Sequence, residues 1–292
     1  MKKILIRFNL NSLGDTLAWI PYTEKYRVEN NLEKIYVRCN DLWADTFFKR
    51  VYPNHVFNPD EDIHSFDRIY NLSWTVDASI SNVTYPSFNP LQKIASSQLG
   101  FSMFEEIRPR IYVDINLFTP PSDKIVSIGT YSTAQAKFWN NPTGWNEVVN
   151  YLNDRGYSVY CLDRYNSFGK PPYMNTIPNN VIFEKNINIA KIVSIISQSK
   201  FFIGLSSGLS WLSWAIGIPV VMVSGFSDPI SEFTEKMYRV HTKKGCNSCF
   251  NRSRFDPSDW LWCPDQDKKE EIFECSKLIT GKDVIEKINL LI

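Results

Sequence analysis

No stretch of the 292 residues approaches the run of about eighteen apolar residues that a membrane-spanning helix needs. The nearest, WLSWAIGIPVVMVSGF, is cut by Gly217 and Pro219 into a helix and a strand. The opening MKKILIRFNLNSLGD has too short an apolar stretch for a secretory signal, so a cytoplasmic protein without membrane insertion is expected. A charge excess is missing too. The 32 Lys and Arg face 31 Asp and Glu, a net of +1, with no basic run or acidic tail, which argues against a nucleic-acid or membrane-surface partner. Internal repeats and low-complexity tracts are absent. The chain is long enough to bury a sizeable core unaided, so its cysteines are not needed to compensate for a small one.

What is present is an alternation of strand and helix patterns. Lys3 to Phe8, Lys34 to Cys39, Arg68 to Leu72 and Ile107 to Val113 read as strands, with helices over Thr16 to Asn30, Asp41 to Tyr52 (capped by Asp41) and Pro90 to Leu99. DINLFTPPSDK, Asp114 to Lys124, reads as an interdomain linker. The alternation then restarts, with strands Ile125 to Ile128, Ser158 to Leu162, Phe201 to Ile203 and Val220 to Val223. Helices are expected over Trp145 to Asn153, Ile189 to Ser197 and Leu209 to Ile216, and a closing one from about Lys282 to Leu291 that folds back on the first domain. Such alternation implies α/β folding around parallel sheets: two Rossmann-like domains, 1–116 and 117–292, facing each other across a cleft. Aromatic content is 14%, rings suited to the floor of a sugar or nucleotide site but for the most part expected in cores and subunit contacts.

Ligands of open α/β sheets bind beyond the carboxyl ends of strands, so the loops there are the place to seek function. In NSLGDTLAWIP, Gly14 would turn the chain out of the first strand and Asp15 would start the helix, as an N-cap, a cleft carboxylate, or both. The helix end would keep that carboxylate ionised, whereas burial would raise its pKa. In FFIGLSSGLSWLSWAIGIP, Ser206, Ser207 and Gly208 precede a helix whose free N–H groups suit a phosphate, or Ser207 simply caps it. That loop matches neither the dinucleotide fingerprint nor the P-loop. In GTYSTAQAKFWNNPTGWNEVVNYL, Lys137 would rest its stem on Phe138 and Trp139 and face a diphosphate, or merely snorkel at the surface. PDEDIH, around Asp60 to Asp62, reads as a solvated turn rather than a metal-nucleotide motif.

Four of the six cysteines, Cys246, Cys249, Cys263 and Cys275, fall within 243–276. Spacing favours a tetrahedral structural metal, zinc by default, over a pair of disulfides. Lys243, Lys244, Arg252, Arg254, Lys268 and Lys269 are close enough in sequence to offset the thiolate charge. Cys39 and Cys161 read as small buried apolar residues of strands.

The blocks SLGDTLAWIPY, AQAKFWNNPTGWNEVV, FFIGLSSGLSWLSWAIGIPVVMVSGFSDPISEF, WLWCP and FECSKLITG resemble the bacterial autotransporter heptosyltransferases, relatives of the lipopolysaccharide heptosyltransferases with GT-B architecture. The resemblance runs from about residue 3 to 285. It implies an inverting transfer of heptose from ADP-heptose to Ser or Thr hydroxyls of a protein acceptor, without a catalytic metal. By resemblance Asp15 is the general base and Lys137 the cation on the donor diphosphate, with Ser206, Ser207, Gly208 and Leu209 as the phosphate cradle. Gly14, Thr16, Thr133, Asp163 (on the ribose) and Glu232 complete the substrate-binding set. The four clustered cysteines would hold one structural iron, Fe3+, with zinc as the alternative, in a finger at a contact of a homo-oligomer. The lipopolysaccharide enzymes usually carry Asp and His where this chain has Ser206 and Trp211, which favours the protein-modifying branch. That branch has an extension before the first strand, whereas this sequence begins almost at the strand. The rival readings are another nucleotide sugar or a glycolipid acceptor, and a non-catalytic nucleotide-sugar-binding subunit.

Overall fold

A computed structural model of the chain describes residues 2–74, 87–265 and 271–292. β1 (Ile4–Phe8), α1 (Leu13–Glu29), β2 (Ile35–Arg38), α2 (Asp41–Trp43), β3 (His55–Phe57), β4 (Arg68–Leu72) and α3 (Leu91–Gln98) make the first lobe. Its sheet is fully parallel, in the order β3-β2-β1-β4, with Leu5 opposite Tyr36 on one side and Ile69 on the other. The second lobe holds β5 (Ile125–Ile128), α4 (Gly144–Asn153), β6 (Ser158–Cys161), a hairpin of β7 (Ser167–Lys170) and β8 (Tyr173–Thr176), β9 (Ile182–Phe183), α5 (Ile189–Ser197), β10 (Phe202–Leu205), α6 (Gly208–Ile216), β11 (Val220–Val223) and β12 (Met237–Val240). Three shorter helices close the chain: α7 (Cys249–Arg252), α8 (Glu274–Lys277) and α9 (Gly281–Ile288). Its parallel sheet runs β12-β11-β10-β5-β6-β9.

The central strands β5, β10 and β11 (IVSI, FIGL, VVMV) are buried at every residue, as strands covered by helices on both faces must be. One core joins β1, α1, α5 and α6 into a single apolar body across both lobes, and a second lies on the other face of the large sheet under α4 and α9. α1 packs directly against α6, so the two lobes meet through helices and not through a flexible tether alone. α6 ends at Gly217, whose φ of 93° is the left-handed geometry that lets its N–H return to Ser213 and Trp214. Strand order reverses between β1 and β4 and again between β5 and β10, and the loops leaving β1, β5 and β10 open into the gap between the lobes.

Several expectations change. β3 is a strand that the sequence pattern missed. The run after Asn40 is a short helix that widens into a π-helix, Ala44–Phe48, and its cap is Asn40, which accepts from Leu42 N, rather than Asp41. Ile107 to Val113 is no strand. Its amides are taken elsewhere: Gln92 bonds both Ile107 N and Ile107 O (3.1 and 2.7 Å), and Tyr112 N reaches Phe47 O at 2.9 Å. The start of the expected linker is a 3-10 turn, Ile115–Leu117, fastened to α5 by Ser194 Oγ and Gln198 Nε2 on Ile115 O (3.0 and 3.1 Å). α9 packs on α4, β11 and β12 of the second lobe, not on the first. Among the described residues no helix is long and apolar enough to cross a membrane.

Candidate active site

A cavity of about 490 Å³ lies between the lobes. Gly14, Asp15, Thr133, Lys137, Asp163, Ser206, Ser207, Gly208, Leu209 and Glu232 all line it, so folding gathers ten of the sequence-derived candidates in one place. Thr16 is the exception: it is fully buried and its hydroxyl donates to Ser12 O at 2.8 Å. The rings of Trp74, Tyr131, Trp211, Phe226 and Phe250 complete the wall.

α1 starts at Leu13, three residues earlier than its pattern suggests, with Ser12 in the N-cap position but making no side-chain capping bond. Asp15 is therefore the third helical residue, within the first turn. Ser12 Oγ donates to Asp15 Oδ2, while Asp15 Oδ1 is buried with no hydrogen-bond partner among the described residues. Burial pushes the pKa of this carboxylate up to about 6, against the pull of the Lys137 ammonium and a hydrogen bond from Trp74. Gly14 is not a turn residue. A Cβ there would stand 3.4 Å from Trp211 Cδ1 and 3.6 Å from Gly208 Cα, and one on Gly208 would stand 3.0 Å from Leu13 Cβ. The paired glycines let the N-terminal ends of α1 and α6 approach backbone to backbone.

Ser207 occupies the N-cap of α6 but its side chain makes no capping bond. Ser210 N and Trp211 N turn back to Ser207 O, so the N–H groups of Gly208 and Leu209 lack intrahelical partners, at the helix end that favours negative charge. Lys137 ends a 3-10 turn, Gln135–Lys137, and its ammonium lies 5.4 and 5.5 Å from the ring centroids of Phe226 and Phe255. These are not the rings adjacent in sequence: Phe138 and Trp139 point into the core, where Trp139 Nε1 donates to Ile279 O at 2.8 Å. Burial lowers the Lys137 pKa, while the charges of Asp15 and Glu232 support the ammonium. Lys137 also donates to Thr133 Oγ1 at 3.4 Å.

Asp163 is buried and bound to the loop after β5, accepting from Thr130 N (2.9 Å), Thr130 Oγ1 (2.5 Å) and Tyr131 N (3.0 Å). It holds that loop in position, and its carboxylate is largely committed to doing so. Glu232 is buried, accepts from Ser206 Oγ and Ser227 Oγ, and pairs with Arg239 Nη1 at 2.7 Å. Sequence reasoning missed Arg239 and Ser227; the visible signal for Arg239 was a lone cation in the strand MYRV.

The cysteine segment folds as a lobe-side knob with its own small core of Phe226, Cys249, Trp262 and Phe273. Cys246, Cys249, Cys263 and Cys275 form no disulfide and are near enough to influence one another electrostatically. A hydrogen bond to Cys246, then burial, holds the Cys275 thiol far above its ordinary range, and burial pushes Cys249 up to about 12. Among the described residues no group of three or more His, Cys, Asp or Glu is drawn together as a bound ion would require. Lys268 and Lys269 lie outside the described residues, and Arg252 is engaged with Asp265.

Residues 114–255 match the family model described as glycosyltransferase family 9 (heptosyltransferase). The autotransporter heptosyltransferase BAHTCr of Citrobacter rodentium is 36% identical, over 97% of this chain and 69% of that protein. The chain belongs to the autotransporter heptosyltransferase family. A crystal structure of TibC from enterotoxigenic Escherichia coli, an iron-containing dodecameric glycosyltransferase, superposes with a TM-score of 0.89 at 34% identity, covering 99% of this chain and 76% of TibC. A second structure holds that relative in complex with ADP-D-β-D-heptose. A Burkholderia thailandensis relative, BimC, 27% identical over 97% of this chain and 67% of its own length, is described as inactive. The two-sheet α/β fold is the GT-B-like one of these enzymes, and the chain is a glycosyltransferase of the heptosyltransferase class.

Proposed function

We propose that this chain moves heptose from ADP-heptose to Ser or Thr hydroxyls of a protein acceptor, with inversion. One observation carries the reading: Asp15, its pKa raised by burial to about 6, shares a cavity with the Lys137 ammonium and the uncapped start of α6. A base of that strength is mostly ionised at neutral pH yet still able to accept a proton. Asp15 takes the acceptor hydroxyl proton as that oxygen bonds to the anomeric carbon. The bond from that carbon to the diphosphate oxygen breaks, and ADP leaves with the electron pair. Lys137 and the Gly208 and Leu209 amides meet the charge that develops on the leaving diphosphate. The complex of TibC with its ADP sugar supports the choice of donor. Residues 1–116 then form the acceptor side and 117–292 the donor side, in keeping with the division of the two sheets.

Cys246, Cys249, Cys263 and Cys275 are the residues that would hold a structural iron. The donor set fits: it is all thiol, Phe273 N donates to Cys263 Sγ at 3.5 Å, and Gly225 leaves room where a Cβ would meet Cys275 Sγ at 2.9 Å. Four thiolates would close the shell of that ion, so it would brace the knob and take no part in transfer. Assembly into a homo-oligomer is supported by the dodecameric relative.

The test incubates the protein with ADP-heptose and a Ser- and Thr-containing autotransporter fragment and measures the acceptor by mass spectrometry. Added heptose is expected. Thermal stabilisation by UDP- or GDP-sugars but not by ADP-heptose would overturn the donor, and ADP-heptose binding without transfer to any hydroxyl acceptor would overturn the enzymatic reading.

A further inference from the structure

Behind the cavity wall, Arg239 on β12 is turned inward with only 8% of its side chain exposed, against 2% for its partner Glu232. Its Nη1 bonds Glu232 Oε2 at 2.7 Å, and its Nη2 donates to Ser227 O at 2.5 Å. Nη1 also meets Met222 Sδ at 3.1 Å and Nη2 meets Ser224 O at 3.4 Å, while Nε has no partner among the described residues. Arg239 does not line the cavity, whereas Glu232 and Lys137 both do. Glu232 is also near enough to Lys137 for the two charges to interact. A buried carboxylate in that place has two cations within reach, and only one of them is needed to hold it.

We propose that Arg239 is a positioning residue of the donor site: it holds Glu232 against Ser206 and Ser227, off Lys137, and so leaves the ammonium free to meet a diphosphate. This rests on the donor reading above. Without Arg239, Glu232 would be a buried charge lacking its counter-ion, and pairing with Lys137 is its nearest relief. The ammonium would then be neutralised before the nucleotide arrived. Removing the carboxylate as well should make Arg239 unimportant to binding, an outcome that simple packing does not predict.

The experiment measures ADP binding to the full chain by calorimetry. Arg239→Met should weaken ADP on the order of tenfold or more, and Arg239→Lys, which keeps a cation opposite Glu232, should stay within about threefold of the unaltered protein. Arg239→Met/Glu232→Gln should bind within about twofold of Glu232→Gln alone. A folded Arg239→Met with unchanged affinity would overturn the proposal, as would Arg239→Lys as weak as Arg239→Met. So would a double variant as far below Glu232→Gln as Arg239→Met lies below the unaltered chain. If Arg239→Met does not fold, the Lys variant and the double variant, in which no carboxylate is stranded, decide the matter. Failure of the unaltered protein to bind ADP would defeat the donor reading itself, whereas normal binding that Arg239→Met leaves intact would defeat only this inference.

Discussion

The two walls of the cleft differ in chemistry as well as in sheet size. Among the described lining residues, the four-stranded lobe presents a single ionisable group, Asp15, set amid Ser12, Trp43, Trp74 and Leu91. The six-stranded lobe presents Lys137, Asp163, Arg164, Glu232, Ser206 and the start of α6, with Arg239 paired to Glu232 from behind. An apolar surround raises a carboxylate pKa and makes a base, while a dense network of charge and hydroxyls makes a rigid anion site. The first wall suits proton removal from an acceptor, and the second suits retention of a nucleotide diphosphate.

The sharpest way to break that division is Asp15→Asn. Transfer should fall by about 10³-fold, within the range general base catalysis supplies, while ADP affinity measured by calorimetry changes less than about threefold. Lost affinity would mean that the first wall holds the donor too. The same variant should not melt at a lower temperature. The folded-state pKa of Asp15 lies above its unfolded value, so the native state binds its proton more readily, and the cost of burying the charge is present above pH 6 and relieved as pH falls through about 6 toward 4.

Lys137→Ala should cost less in transfer but more in binding, about 10- to 100-fold in ADP affinity, the worth of a charge-assisted contact. It also sharpens the comparison through pH. With Asp15 as the proposed base, kcat/KM should fall about tenfold per unit below pH 6, and because the ammonium lowers the Asp15 pKa, that limb should move upward in the variant. The smallest effect is expected at the seam between the walls. Gly208→Ala places a Cβ 3.0 Å from Leu13 Cβ, and a strain of about 1 kcal/mol would lower Tm by about 2–4 °C in a scanning melt.

In the second lobe β5, β6, β10, β11 and α5 (Ile189–Ser197, capped by Asn188) were legible from apolar runs and spacing, whereas β7, β8, β9 and β12, which are short or carry polar residues, were not. The first lobe was harder to read. β3 is three residues long, the Ile107 to Val113 segment has strand composition but side-chain partners, and the helix after Asn40 widens into a π turn. Among the site residues, those on loops leaving buried strands were legible by position. Arg239 was not, because its importance comes from facing Glu232, seven residues away in the chain but on the other side of a turn.

By itself the sequence determined the α/β alternation, the balance of charge, the clustering of four thiols and the loops that could hold an anion, because each of these depends on local pattern and composition. Only the tertiary structure decided that burial at Asp15 outweighs the Lys137 ammonium, that Lys137 rests on Phe226 and Phe255 rather than on its neighbours, and that Glu232 is matched by Arg239. The physical reason is that desolvation and charge pairing depend on which surfaces meet, and that is settled only when the chain has folded and its loops are packed against one another.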